Sequence, residues 1–138
     1  MMTTFDLSTQ TVRELNAHLH QSVKGEVAVV NPGGRHAVAV GAVGTHKVNI
    51  EGNVGYYCAG MNADAEVIIR GHAGPGLAEN MMSGSVRVSG NASQYCAATA
   101  HGGLVVIEGD ASSRCGISMK GVNIVAVSYT HLTLPTKA

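Results

Sequence analysis

The chain has 138 residues, with 18 glycines, four tyrosines, one phenylalanine, no tryptophan and 13% charged residues that balance to a formal net charge of zero. That is one domain's length, and its clusters of Val and Ile exclude an intrinsically disordered chain. No basic stripe meets a nucleic-acid backbone, no apolar run reaches the roughly 18 residues of a membrane helix, and the start "MMTTFDLSTQ" lacks the parts of a signal peptide.

Three cysteines, an odd number, fit a reducing cytoplasm better than a disulfide framework. In chain order, the first element is a short helix within "STQTVRELNAHLHQ" (8–21). Thr11 and Glu14 have capping-box spacing, and Val12, Leu15 and Leu19 share a helical face. The helix is expected to cover the open first coil of the β-rich region downstream, since exposed strand edges need protection. "NPGGR" at 31–35 reads as a turn before the first strand, and "HAVAVG" at 36–41 as an early, irregular coil.

From there the chain repeats itself. The pattern V-x-[IV]-x-G recurs as Val48-Ile50-Gly52, Val67-Ile69-Gly71, Val86-Val88-Gly90 and Val105-Ile107-Gly109, nineteen residues apart each time. Other columns keep phase: Asn53, His72, Asn91, Asp110; Val54, Ala73, Ala92, Ala111; Cys58, Leu77, Cys96, Cys115; Ala59, Ala78, Ala97, Gly116. Nineteen is too short for a two-helix repeat, and each unit opens with period-two alternation, Val and Ile on one side and polar residues on the other. The glycine after it is expected to supply a turn at positive φ. Each unit therefore reads as one coil of a parallel β-helix, with identical columns stacked about 4.8 Å apart and the Val/Ile columns forming the interior.

The repeat predicts a glycine at 128, where the chain has serine, and "VSYTHLTLPTKA" contains none of its columns. That stretch resembles the translated sequencing-adapter read-through at the ends of some assembled sequences. The expected organisation is an N-terminal helical cap over 1–22, a truncated β-helix over 23–126 and a non-native tail over 127–138, with the native chain continuing past about 126.

"GNVGYYCAGMNADAEVIIRGHAGPGLAENMMSGSVRVSGNASQYCAATAHGGLVVIEGDASSRCGISMKG" resembles the GXGXG β-helix at the C-terminus of the glutamate synthase large subunit, with glycines at Gly52, Gly55, Gly60, Gly71, Gly74, Gly76 and Gly84. "FDLSTQTVRELN" resembles the start of the free-standing version, a small subunit of complexes such as N-methylglutamate synthase. The resemblance covers about 4–126. It implies a right-handed, single-stranded β-helix without catalytic, cofactor-binding or metal-binding residues of its own, serving as spacer and packing surface. It also implies two partners: a glutamine-amidotransferase-like subunit that releases ammonia and an FMN/iron–sulfur subunit that makes the new amine. A more distant resemblance, to the β-helical subunit of formylmethanofuran dehydrogenase, implies molybdenum- or tungsten-binding partners instead. A third reading is a ligand-binding or carbohydrate-acting β-helix.

Several residues invite a chemical reading of their own. Cys96 and Cys115 stand on adjacent coils, about 5 Å apart and within disulfide reach. Cys58 lies two coils below Cys96 with Leu77 between, and no close pair of cysteines exists for a metal. An inward ladder of small apolar side chains, with free thiols, explains the column. His36, His46, His72 and His101 fall in different columns and read as surface or turn residues; His18 and His20 are not an i, i+4 pair. "GHAGPG" at 71–76 has the wrong spacing for a phosphate loop and no following helix. In the column after the glycine only Asp110 is acidic, so the stacked carboxylate pair of glycoside cleavage is missing. Glu51 and Glu108 share an outward column but lie three coils apart, and no six-residue subrepeat suggests an acyltransferase. Met61, Met81, Met82 and Met119 would make a docking patch if outward and gap-filling core if inward.

Overall fold

The computed structural model describes residues 2–21, 24–110 and 122–128 and shows one seven-stranded parallel sheet in which every strand pairs with the next in sequence. The strands are β1 (Met2–Asp6), β2 (Gly25–Val30), β3 (His46–Glu51), β4 (Glu66–Arg70), β5 (Ser85–Val88), β6 (Gly103–Asp110) and β7 (Val122–Ser128); one helix, α1 (Val12–Leu19), lies between β1 and β2. A sheet ordered by sequence with only parallel neighbours is a solenoid, as the nineteen-residue repeat predicts.

The register is that of the repeat. Val48 faces Val67, Val67 faces Val86 and Val86 faces Val105, with Ile50, Ile69, Val88 and Ile107 aligned two residues on. All eight side chains are fully buried, whereas Lys47, Glu51, Glu66 and Arg87 between them are exposed. Each fully buried Val or Ile contributes about 1.5–3 kcal/mol. Alternation in sequence thus becomes a dry column on one face and a wet one on the other.

Between strands the chain turns through two further segments. Val54, Ala73 and Ala92 form a narrow second ladder of parallel bridges. Next comes an arc in which alternate residues are left-handed: Tyr57, Ala59 and Met61; Gly76, Ala78 and Asn80; Tyr95, Ala97 and Thr99. Left-handed backbone costs a non-glycine residue about 1–2 kcal/mol. Here it swings successive amides to opposite sides of the coil. Tyr57 N–H donates up to Pro75 (2.7 Å), Ala59 N–H down to Val38 (2.9 Å) and Met61 N–H up to Glu79 (2.8 Å), so each arc is bonded to both its neighbours.

"HAVAVG" belongs to this arc and not to a strand. Ala37, Ala39 and Gly41 are left-handed, and Ala37 N–H donates to Tyr56 O while Gly41 N–H donates to Gly60 O. The strand of that coil is β2, upstream of "NPGGR", so the turn follows the first coil's strand rather than preceding it. Gly25 pairs with His46, two residues more than the later period, which hid β2 from the repeat.

The N-terminus holds another element that the pattern did not indicate. β1 continues the sheet below β2, with Met2 opposite Glu26 and Asp6 opposite Val30. The helix therefore covers the arc, not the sheet edge. Thr11 caps it, its Oγ1 accepting from Glu14 N–H at 3.1 Å, and Leu15 and Leu19 are fully buried. Asn16 bonds the open side of the first arc twice, donating to Ala37 O (2.9 Å) and accepting from Val40 N–H (3.0 Å). At the far end β7 runs to Ser128, with a register irregularity between Ile107 and Asp110 of its partner; residues 129–138 lie outside the described residues.

Candidate functional site

The column after the strand glycines is a hydrogen-bond ladder. Asn53 Oδ1 accepts from His72 N–H (2.8 Å), His72 Nδ1 from Asn91 N–H (2.9 Å) and Asn91 Oδ1 from Asp110 N–H (2.8 Å). Each side chain thus satisfies a backbone donor one coil up, which is why acceptor-bearing residues recur there. His72 carries its proton on Nε2 in this bond. The same ladder explains the glycines: a Cβ on Gly71 would sit 2.5 Å from Gly52 O and 2.7 Å from Asn53 Oδ1, and one on Gly109 only 2.3 Å from Asn91 Oδ1. Gly71, Gly90 and Gly109 do not have positive φ, contrary to the turn reading; Gly52, at +135°, is the one of the four that does. Close approach of the coils, not turn geometry, excludes a side chain.

The outward glutamates are held by arginines. Glu51 pairs with Arg70 at 3.1 Å and Glu108 with Arg87 at 2.7 Å, both exposed and each worth about 0.2–1 kcal/mol. Each carboxylate thus faces a cation on the neighbouring strand.

Cys58 is free and fully buried, and burial in apolar surroundings pushes its thiol up to about 12. A thiolate nucleophile needs the opposite shift. Cys96 is equally buried but disulfide-bonded, so the expectation of a column of free thiols holds for Cys58 and not for Cys96; Cys115 lies outside the described residues. The histidines divide too. His36, His72 and His101 are exposed, but His46 is buried, its Nε2 2.8 Å from Gln21 O, because its position in β3 is an inward one. Its Nδ1 and Asn62 Oδ1 are buried without a hydrogen-bond partner among the described residues. Also among the described residues, no three His, Cys, Asp or Glu side chains converge as metal ligands would. The methionines split: Met81 is fully buried, Met61 and Met82 are about half exposed, and Met119 lies outside the described residues.

One concavity has a distinct chemical character. Tyr56, Tyr57, Pro75, Gly76, Glu79 and Tyr95 line a shallow groove of about 440 Å³ on the arc face. Tyr56 is stacked on the His36 imidazole, 3.9 Å between centroids and 12° from parallel, while its N–H donates to His36 Nδ1 at 3.0 Å. The ring is thus fixed yet 53% exposed. Tyr57 and Tyr95 belong to one column, with Gly76 between them.

Over 87 residues the chain is 56% identical to Protein GlxC of Rhizobium meliloti (strain 1021), a stretch that makes up 60% of this chain and 38% of that protein. The chain thus spans well under half of that relative's length. No protein-family model and no solved structure matches it.

The groove escaped the sequence reading. Its signal was present: "GYYC" and "SQYC" place tyrosines in one column two coils apart, in a chain with only four tyrosines. The cysteines that stand beside them dominate the column's pattern and mask it.

Proposed function

We propose that this chain is a non-catalytic assembly subunit or domain of a glutamate-synthase-like amidotransferase/oxidoreductase complex acting in glutamate or methylamine nitrogen metabolism. Its partners on this reading are a glutamine-amidotransferase-like subunit and a synthase subunit carrying FMN and an iron–sulfur cluster. The observation that carries the proposal is the use of the polar columns. Asn53, His72 and Asn91 bond the next coil, and Glu51 and Glu108 pair with arginines, so these groups serve rigidity rather than substrate chemistry. The resemblance to the GXGXG β-helix supplies the type of complex, and half-exposed Tyr56, Met61 and Met82 supply apolar surface for docking. No described helix is long and apolar enough to cross a membrane.

Affinity purification of the tagged chain from its own cells, followed by absorbance spectroscopy, tests the proposal. The expected result is a colourless bare chain that co-purifies with a yellow-brown flavin/iron–sulfur protein and an amidotransferase. A chain that carries its own chromophore, or that recruits neither partner, overturns it.

A further inference from the structure

We propose that the tyrosine groove is a socket for an arginine side chain presented by a partner polypeptide. Three of the chain's four tyrosines line it, together with one carboxylate, Glu79. Tyrosines concentrate at interfaces because a rigid ring supplies contact area while its hydroxyl stays wet. Here they are spaced with a gap. Tyr57 and Tyr95 stand two coils apart, so their Cα rows are separated by about 10 Å, and Gly76 leaves the intervening position of that column without a side chain. The Tyr56 ring, fixed by its stack on His36 and 53% exposed, leaves an aromatic face at the groove on which a flat group can lie.

The carboxylate selects the occupant. Glu79 Oε2 would lie 3.7 Å from a Cβ placed on Gly76, so it leans over the floor of the gap. The ion pairs among the described residues engage Glu51 and Glu108, and none engages Glu79. A half-buried anion beside aromatic faces calls for a cation that is itself flat. Guanidinium fits both demands, because it stacks on rings and offers paired N–H donors; ammonium fits only one. The inference rests on the assembly reading only in requiring a partner chain to present the arginine.

The protein lacks tryptophan, so tyrosine emission reports largely on this groove. Titration of the full chain with acetyl-Gly-Arg-Gly-amide is expected to change that emission saturably, with a dissociation constant of about a millimolar. The citrulline counterpart, neutral but equally flat, should bind at least about tenfold more weakly, and Glu79→Gln should weaken the arginine peptide by a similar factor. Glu79 has no ion pair to lose among the described residues, so an unchanged thermal midpoint is expected for this variant and separates lost binding from lost folding. Equal binding of the citrulline peptide, or an unaffected Glu79→Gln, overturns the inference. So does tighter binding of free arginine than of the blocked peptide, which marks a small-molecule site. In the purified complex, Glu79→Arg should release the partner held at this face. If that variant assembles like the wild type, the socket is wrong while the assembly proposal stands. If the wild type binds the peptide yet recruits no chain, both readings fail.

Discussion

His72 shows how one position can look functional and be structural. Its neighbours in the column are asparagines, and it performs their task, accepting the N–H of the residue one coil up through Nδ1. Asparagine offers an acceptor at similar reach, so His72→Asn is expected to change stability by no more than about 0.5 kcal/mol, whereas His72→Ala should cost about 1 kcal/mol by leaving the Asn91 amide without its acceptor. Urea denaturation of the two variants separates these outcomes; equal losses would show that the ring, not the acceptor, matters. Cys58 permits a pH test. Its protonated thiol is favoured in the fold, so this contribution is complete below the ordinary value of 9.0 and declines as pH rises toward about 12. Thermal midpoints across that alkaline range should therefore fall less steeply for Cys58→Ala than for the wild type, with the difference vanishing near neutrality.

At the level of elements, the lower boundary of the solenoid is built from unlike parts. β1 closes the sheet side and α1 the arc side, where the Asn16 amide takes the place of the backbone that another coil would provide. Asn16→Ala removes a donor to Ala37 O and an acceptor for Val40 N–H, both half-buried, and is expected to cost about 1–3 kcal/mol. Hydrogen exchange checks it: the Val40 amide should lose protection while amides of β4 and β5 keep theirs. The strands β3 to β6 were legible because Val/Ile alternation and a constant period are written directly in the sequence. β1 and β2 were not, because their offsets to the next strand exceed the repeat, which puts Val27 and Val29 out of phase in the sequence with the Val48 and Ile50 columns they join. "HAVAVG" does belong to an early, irregular coil, but to its arc: alternation of small apolar residues also accompanies a backbone of alternating handedness, which periodicity does not distinguish from a strand. Turn glycines misled likewise, since crowding between coils and positive φ select the same residue.

For the whole molecule, the tyrosine column was written in the sequence but the groove was not, because Tyr56, Pro75, Glu79 and Tyr95 come from three successive coils and acquire meaning together only when those coils stack. The ladders themselves were readable, since each is one column. This distinction follows from the architecture: contacts run mostly between neighbours, so a property of a column is local, while a property of a surface needs several coils at once.

The constant register of β3 to β6 has a further consequence. Val48, Val67, Val86 and Val105 meet face to face without drift, and each coil advances the axis by about 4.8 Å. A rod of this kind can grow or shrink only by whole coils, because a partial one would turn the Val/Ile columns outward. Whatever sits at its two ends is therefore held at separations that evolution can adjust only in steps, like notches on a gauge. Fine adjustment must come from the surfaces that dock on it.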